Sequence, residues 1–369
     1  MSCEKRYLLG RRDGGEDGVL YVGRYLALDG SQGAGVYLDV LKPHAALICG
    51  KRGYGKSYTM GVIIEEFARL PLAIRKNFCV IVVDTMGVFA CMKGWEGIRV
   101  FAPPAHRREG ALPLEIPSCS LSFYDYCELL GIEPLSEHGA DLMGAMDNGP
   151  FEVEGLVKRV KPGSTLSGLL RMVASWGLFS GSATFDALLK PGSISILDLS
   201  GYGHEPRIRS AIVASLARAL YDIRVEARRA ENGKREKPLV WLLIDEAHMF
   251  MDGDTRAGRV LTNEWLRQGR QPGLSLVLAT QRPSALGKEV LSQADVIVCH
   301  RLTLRDDLEA LESARPTYVK EPIQEAMARL GAGRGAAIVV DDTTESCHVI
   351  KIRPRESEHG GGEPVVYLD

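Results

Sequence analysis

The residues able to do chemistry fall into a few short clusters. The densest is Gly50-Lys51-Arg52-Gly53-Tyr54-Gly55-Lys56-Ser57-Tyr58. An apolar run, Ala45 to Cys49, precedes it, and Met60, Ile63, Ile64 and Phe67 follow at helical spacing. Strand, glycine loop and helix is the context in which the pattern G-x-x-x-x-G-K-[ST] cradles phosphate. Glycines let the backbone approach phosphate oxygens. Successive N–H groups at a helix N-terminus form a nest for an anion. Lys56 then reaches the β- and γ-phosphates of a nucleotide, and the Ser57 hydroxyl ligates Mg²⁺. The second cluster is Asp245-Glu246, at the end of the apolar run Val240 to Ile244. A strand ending in a carboxylate supplies the acid for Mg²⁺-bound water, and the next glutamate is placed to polarise an attacking water. Burying two adjacent acids without a cation would be costly. Gln281 follows the apolar stretch Leu274–Leu278, and its amide can sense a γ-phosphate or hold the water. Asp84 closes the run Phe78–Val83; it is either a Mg²⁺-water residue at a strand end or a helix-capping aspartate. His248 reads as a polar residue of a strand-to-helix turn.

The elements that must position these groups are strands and helices in alternation. Phe78–Val83, residues 193–199 and Val240–Ile244 are continuous apolar runs, expected of strands buried on both faces of a parallel sheet. Arg209–Ala230 carries Ile212, Leu216, Leu220 and Ile223 on one stripe, which predicts a long helix. Another helix is predicted over Thr262–Gln271, carrying Arg267 and Arg270, and a capping box at Thr303-Leu304-Arg305-Asp306 predicts a helix through Leu311. Val296–Cys299 and Ala336–Asp341 read as strands. Residues 103–190 break the rhythm with prolines and helical pieces near Tyr124–Leu130 and Leu166–Trp176, an expected helical insertion. Its Lys158, Arg159 and Lys161 make a small basic patch. Residues 1–43 hold two strand-like pieces, Val19–Leu28 and Gly35–Leu41, around a turn. They form either a small β element of their own or an extension of the main sheet. The expected division is a short N-terminal β element at 1–43, an α/β core at 44–353 and a tail at 354–369.

Composition narrows the function classes. The 369 residues allow two or three units at ~150 residues each. With 45% hydrophobic and 25% charged residues, a sizeable soluble core is expected. A net charge of −2 excludes a globally basic nucleic-acid surface, so any such surface must be local or built by assembly. No apolar run approaches a membrane span, and the N-terminus lacks the apolar core of a secretion signal. The eight cysteines contain no C-x-x-C pair, and Cys49, Cys79, Cys91 and Cys299 lie in apolar surroundings. They read as small hydrophobes of a reducing, cytoplasmic protein.

Five blocks occur in a particular order: Gly50–Ser57, then Val82-Val83-Asp84-Thr85-Met86-Gly87, then Leu242–His248, then Glu264–Leu286, then Arg301–Leu311. Together they resemble the HerA/FtsK superfamily of P-loop ATPases, closest to archaeal HerA-type DNA translocases and more distantly conjugation ATPases. The likeness spans roughly residues 36–353. It implies a RecA-like P-loop NTPase fold, ATP with Mg²⁺, a hexameric ring and double-stranded DNA in its pore. It also implies Glu246 as the catalytic glutamate, Gln281 as the sensor glutamine and Arg270 as an arginine finger acting on the neighbouring subunit. Two departures stand out. The acid that the family carries after the second strand is replaced here, in Asp84-Thr85-Met86-Gly87-Val88-Phe89. The N-terminal β element is far shorter than the barrel that docks the family's nuclease, NurA, which disfavours that docking and leaves another protein partner open. An ATPase that remodels a protein client without moving DNA is the alternative function.

Overall fold

The computed structural model describes residues 6–27, 29–147, 152–203, 205–231, 237–251, 253–330 and 334–360. In chain order the strands are β1 Arg6–Leu9, β2 Val19–Leu26, β3 Gln32–Asp39, β4 Ala45–Cys49, β5 Phe78–Asp84, β6 Ile98–Ala102, β7 Leu112–Pro113, β8 Ile116–Pro117, β9 Phe179–Ser180, β10 Ile194–Asp198, β11 Leu239–Ile244, β12 Leu274–Thr280, β13 Val296–Cys299, β14 Ala336–Asp341 and β15 Ser346–Ile352. The helices are α1 Lys56–Arg69, α2 Leu72–Arg75, α3 Phe123–Leu130, α4 Glu137–Met146, α5 Val153–Arg159, α6 Thr165–Ser175, α7 Pro206–Ala230, α8 Arg256–Val260, α9 Gly287–Gln293, α10 Arg305–Ser313 and α11 Ile323–Arg329. No helix among the described residues is long and apolar enough to cross a membrane.

One sheet holds all but two of the strands, in the order β1-β3-β2-β15-β14-β13-β4-β12-β11-β5-β10-β6-β7, and β8 pairs with β9 apart from it. From β13 to β7 every pairing is parallel. The central strands β4, β5, β10, β11 and β12 are buried at every position. That is the reason they are continuous apolar runs, since helices cover both faces. On one face Met60, Ile63, Ile64 and Phe67 of α1 pack with Trp241 and Leu243. On the other, α7 contributes Ile212, Leu216 and Leu220 to a core shared with Leu142, Val153, Leu156, Leu166 and Leu170. The helical insertion, α3–α6, is therefore continuous with the main core.

Several expectations need correcting. The hairpin β2–β3 extends the main sheet through β15, with Tyr25 opposite Ile350 and Arg24 opposite Lys351. Its Leu20, Val22, Val36 and Leu38 share the core of α1, so it has no core of its own. Strands β1, β6 and β15 were not expected: β1 and β6 are short, and β15 is only partly buried, with weak apolar patterning. The helix predicted over Thr262–Gln271 starts at Arg256, continues through a π-helical stretch at Leu261–Leu266, and has ended before Arg270. Arg270 sits instead in the turn leading into β12, where Gly273 donates to its carbonyl. Helix α10 lacks the predicted capping box; Leu304 is its N-cap, with no side-chain bond. Asp307 in its first turn is used otherwise, accepting from the N–H and hydroxyl of Ser284. The apolar piece Val365–Leu368 lies outside the described residues.

A buried ionic cluster joins the hairpin to the leading ends of the parallel strands. His44 Nδ1 is 2.9 Å from Asp295 Oδ2, and its Nε2 is 3.3 Å from Asp39 Oδ2. Arg11 pairs with Asp39 at 3.1 Å, and Arg270 with Asp295 at 3.0 Å. Burial opposes charge on the imidazole, but hydrogen bonds and attraction from both carboxylates outweigh it and lift its pKa to about 9. An unfolded histidine titrates near 6.5. Between those values the folded protein holds a proton that the unfolded chain has released. Stability should therefore fall as pH rises from about 6.5 to about 9, by on the order of 3 kcal/mol. Urea unfolding midpoints across that window measure it, and His44→Gln should flatten the dependence.

Candidate functional site

Parallel strands deliver their chemistry at their C-terminal ends, and here five of them converge. Strand β4 runs directly into Gly50, β11 into Asp245, β12 into Gln281, while β5 ends on Asp84 and β10 on Asp198. Adjacent registers hold these ends level: Asp198 lies opposite Asp84, and Thr280 opposite Cys49. The 189 positions between Lys56 and Asp245 are thus closed by the sheet, and the two side chains touch.

The Lys56 ammonium is the centre of the site. Its Nζ donates to Asp245 Oδ1 and to Glu246 Oε1, both at 2.9 Å, and lies 3.3 Å from Ser57 Oγ. All but 5% of Lys56 is buried. Burial works against its charge, but the two carboxylates more than compensate and raise its pKa above the ordinary value. Asp245 is pushed up by burial, against the pull of Lys56. Gln281 Nε2 donates to the same Glu246 oxygen at 2.5 Å. The other oxygen, Oε2, accepts no hydrogen bond and is 3.4 Å from His248 Nδ1. Glu246 holds φ 50°, a left-handed backbone unusual outside glycine. The turn it makes swings its carboxylate back over the strand end. His248 also meets Thr280 Oγ1 at 3.1 Å; it lies in the turn after β11, as expected, and there borders the Glu246 carboxylate.

The loop preceding α1 has the shape of a phosphate cradle. Gly53 and Gly55 have φ 83° and 126°. Gly55 is the N-cap of α1 and offers no side-chain bond, and the first N–H groups of a helix have no acceptor within it. Lys51, Arg52 and Gly53 are exposed at the tip, while Tyr54, Ser57 and Tyr58 are half-buried. The floor is His300, at the end of β13, which the sequence reading missed. A Cβ on Gly50 would meet His300 Cβ at 2.6 Å, and one on Gly55 would meet its Cε1 at 2.9 Å. Its Nε2 contacts Thr59 Oγ1 at 2.8 Å and its Nδ1 the Ala336 carbonyl at 2.9 Å. Burial drives its pKa down to about 4, so at neutral pH it is an uncharged support beneath the loop. The available signal was a lone histidine directly after an apolar strand parallel to β4.

Asp84 caps no helix; it folds the loop after β5 onto its own carboxylate. Its Oδ1 accepts from the N–H groups of Met86, Gly87 and Val88, and its Oδ2 from Phe89. Burial raises its pKa to about 7, opposed by these N–H bonds. A strap at residues 353–360, also unforeseen, ties that loop to α1. The buried Glu65 accepts from the N–H groups of Glu356 and Ser357, and its carboxylate meets Arg353 at 2.7 Å. Arg355 lies against Gly61 of α1 on one side and 5.7 Å from the Phe89 ring on the other. Arg270 is the one predicted site residue that the sheet keeps apart. It stands before β12 while Gln281 stands after it, roughly 20 Å away at ~3.3 Å per residue.

The site suits a magnesium nucleotide. A hydroxyl and a carboxylate, Ser57 and Asp245, both reach the Lys56 ammonium and so lie close to one another. Hard oxygen donors of this kind, few in number, are what Mg²⁺ takes while keeping its own waters.

Comparison with known proteins agrees with this geometry. Residues 20–143 match the family described as helicase HerA, central domain, and residues 189–357 match helicase HerA-like C-terminal. The DNA double-strand break repair helicase HerA of Sulfolobus acidocaldarius is 27% identical over 185 residues, covering 48% of this chain and 34% of that protein. The HerA of Pyrococcus furiosus is 22% identical over 250 residues, covering 59% of this chain and 43% of that one. The chain thus spans less than half the length of these curated relatives. Among solved structures, VirB4 of Thermoanaerobacter pseudethanolicus superposes with a TM-score of 0.63 at 18% identity, covering 95% of this chain and all of that one. The bacterial conjugative coupling protein TrwB gives 0.60 at 14%, covering 95% and 98%. These structures share the fold.

The fit of His300 beneath the loop carries a prediction. Gly55→Ala imposes both a disfavoured φ and a clash with the imidazole, so it should cost about 1–3 kcal/mol in chemical unfolding. Adding His300→Ala should remove the clash but not the backbone strain and recover only part of the loss. An unchanged unfolding midpoint in Gly55→Ala would contradict a rigid cradle.

Proposed function

Because this chain belongs to the HerA/FtsK-type P-loop ATPases, we propose that it hydrolyses ATP with Mg²⁺ and uses the energy to translocate along or unwind double-stranded DNA as a ring, most simply a hexamer. The observation that carries the reading is the Lys56 ammonium held between Asp245 and Glu246, with Gln281 on the same glutamate. In the reaction a water oxygen bonds to the γ-phosphorus while the bond to the β–γ bridging oxygen breaks, giving ADP and phosphate. Glu246 accepts the water's proton, and Gln281 orients Glu246 and the water. Lys56 and the loop N–H groups stabilise the phosphate charge as it redistributes. Mg²⁺, held by Ser57 and Asp245, would neutralise β- and γ-phosphate oxygens. Arg270 lies at the opposite edge of the sheet with its side chain 64% exposed. Its role in this reading is to enter the site of a neighbouring subunit.

The second reading, a protein client with no DNA movement, draws on two observations. The Asp84 loop spends its carboxylate on its own backbone, and net charge is only −2. A nuclease or other protein docking on the N-terminal strands is compatible with either. ATPase rate with and without duplex DNA, beside mass in solution, separates the readings: stimulation by duplex in a ring supports the motor, and indifference to duplex supports the client.

Two variants test the chemistry. Glu246→Gln should still bind ATP but slow the single-turnover chemical step by ~100-fold or more; an unchanged step would remove Glu246 from the mechanism. Arg270→Ala subunits and Glu246→Gln subunits should each be nearly inactive, while mixed rings should regain part of the activity. A guanidinium in trans is worth ~10³–10⁵ in rate. Mixed rings as inactive as their parents would show that Arg270 does not act between subunits.

A further inference from the structure

Away from the strand ends that gather Lys56 and Asp245, a cavity of about 620 Å³ opens at the other edge of the sheet. Arg99 at the start of β6 lines it, with Asp186 to Pro191 ahead of β10, Ile223 and Arg224 of α7, and Lys237-Pro238 ahead of β11. Its size is that of small-molecule sites. The β11 strand of six residues separates it from Asp245, about 20 Å at ~3.3 Å per residue. It is therefore distinct from the nucleotide site.

Its electrostatics are one-sided. Arg99, Lys190, Arg224 and Lys237 line it, against one carboxylate, Asp186. Arg224 is committed to the structure, donating to the Pro272 and Lys237 carbonyls at 2.8 and 3.0 Å and pairing with Glu231. The other three cations differ. Among the described residues no carboxylate pairs with Arg99, Lys190 or Lys237 at ion-pair distance. Arg99 reaches only neutral oxygens through Nη2, those of Ser193 and Ser195 at 3.0 and 3.3 Å and the Ala187 carbonyl. Its Nε is sheltered from solvent and makes no hydrogen bond. The half-buried guanidinium, which also lies 5.3 Å from the Phe101 ring, thus has neutral partners but no counter-ion, and one N–H left to donate. The two lysines are exposed at the mouth. Leu189, Pro191, Ile223 and Pro238 supply apolar wall for the uncharged part of a ligand.

We propose that this cavity binds a phosphate group, recognised by Arg99 with Lys190 and Lys237. Guanidinium is the side chain best matched to phosphate oxygens. The phosphate has two possible sources, a nucleic-acid backbone or a free nucleotide, and the test separates them. Lys56→Arg serves as the parent, so that the phosphate loop is impaired while Asp245 and Glu246 keep a cation. The triple variant adds Lys190→Ala and Lys237→Ala, exposed positions whose loss leaves the fold intact. A fluorescein-labelled duplex and a fluorescent ADP analogue are each titrated by anisotropy at several salt concentrations. If a backbone phosphate binds, duplex affinity in the triple variant falls at least tenfold and the slope of log K against log salt shrinks by about two. If a free nucleotide binds, the ADP analogue loses affinity by that factor and the duplex does not. Arg99→Lys should retain part of whichever binding is found, and Arg99→Gln should lose it. If parent and triple variant bind both probes alike, or neither binds any, the proposal is overturned. ATP hydrolysis in the Lys190→Ala, Lys237→Ala chain with Lys56 intact should remain at its basal rate, so failure here leaves the phosphate-loop reading standing.

Discussion

Two adjacent carboxylates buried at the end of a strand cannot stand alone, and the arrangement of this molecule follows from how that cost is met. Asp245 and Glu246 lie 1% and 8% exposed in a sheet edge with two further acids, Asp84 and Asp198, on neighbouring strands. Breaking a buried ion pair by removing one partner typically costs several kcal/mol, so Lys56 is as much a structural cation as a chemical one. It can play both parts because its counter-ions come from β11 while it is fixed on the loop after β4. The intervening β12 carries Gln281 to the same glutamate. A phosphate and a metal ion would bring their own opposite charges to these groups, replacing the internal pairing with an external one. The resting pair is thus already arranged as a binding site.

This much was legible in the sequence because it is local. A glycine loop between strand and helix, an apolar run ending in two acids, and an amide after another apolar run each declare themselves within ten residues. Lys56, Ser57, Asp245, Glu246 and Gln281 are found where those signals put them. What was not legible depends on partners far along the chain. His300 supports the glycine loop from 250 positions away (300 − 50), and its one local sign, a histidine directly after an apolar strand, does not say which loop it will meet. That the N–H groups of Met86 to Phe89 turn back on the Asp84 carboxylate, where the sequence suggested a Mg²⁺-water residue or a helix cap, is a loop conformation that spacing alone does not give. Strands such as β6 and β15 escape notice because the first is only five residues long and the second, although inside the sheet, is mostly half-buried and has no apolar run.

The two edges of the sheet divide the work. The C-terminal ends of the parallel strands gather carboxylates around one ammonium. The leading ends gather cations, with Asp295 shared between His44 and Arg270. Arg270 is therefore held in place by a residue that also joins the hairpin to the core. Its geometry depends on β2 and β3 even though they lie far from the nucleotide loop. The short N-terminal strands act here as scaffold for the sheet's basic edge, whatever else they contact.

The strap has a consequence for the way the protein is made. Glu65, roughly two turns of α1 beyond Ser57, finds its partners in the strap, at Arg353, Arg355, Glu356 and Ser357. Strand β15 likewise inserts between β2 and β14. Three hundred residues separate Ser57 from Ser357 (357 − 57). At ribosomal speeds of about 5–20 residues per second, the helix beneath the phosphate loop waits roughly 15–60 s for its buried glutamate to be neutralised. During translation the nascent chain therefore carries an unfinished loop helix, and competence to hold nucleotide arrives late, with the emergence of its distal residues.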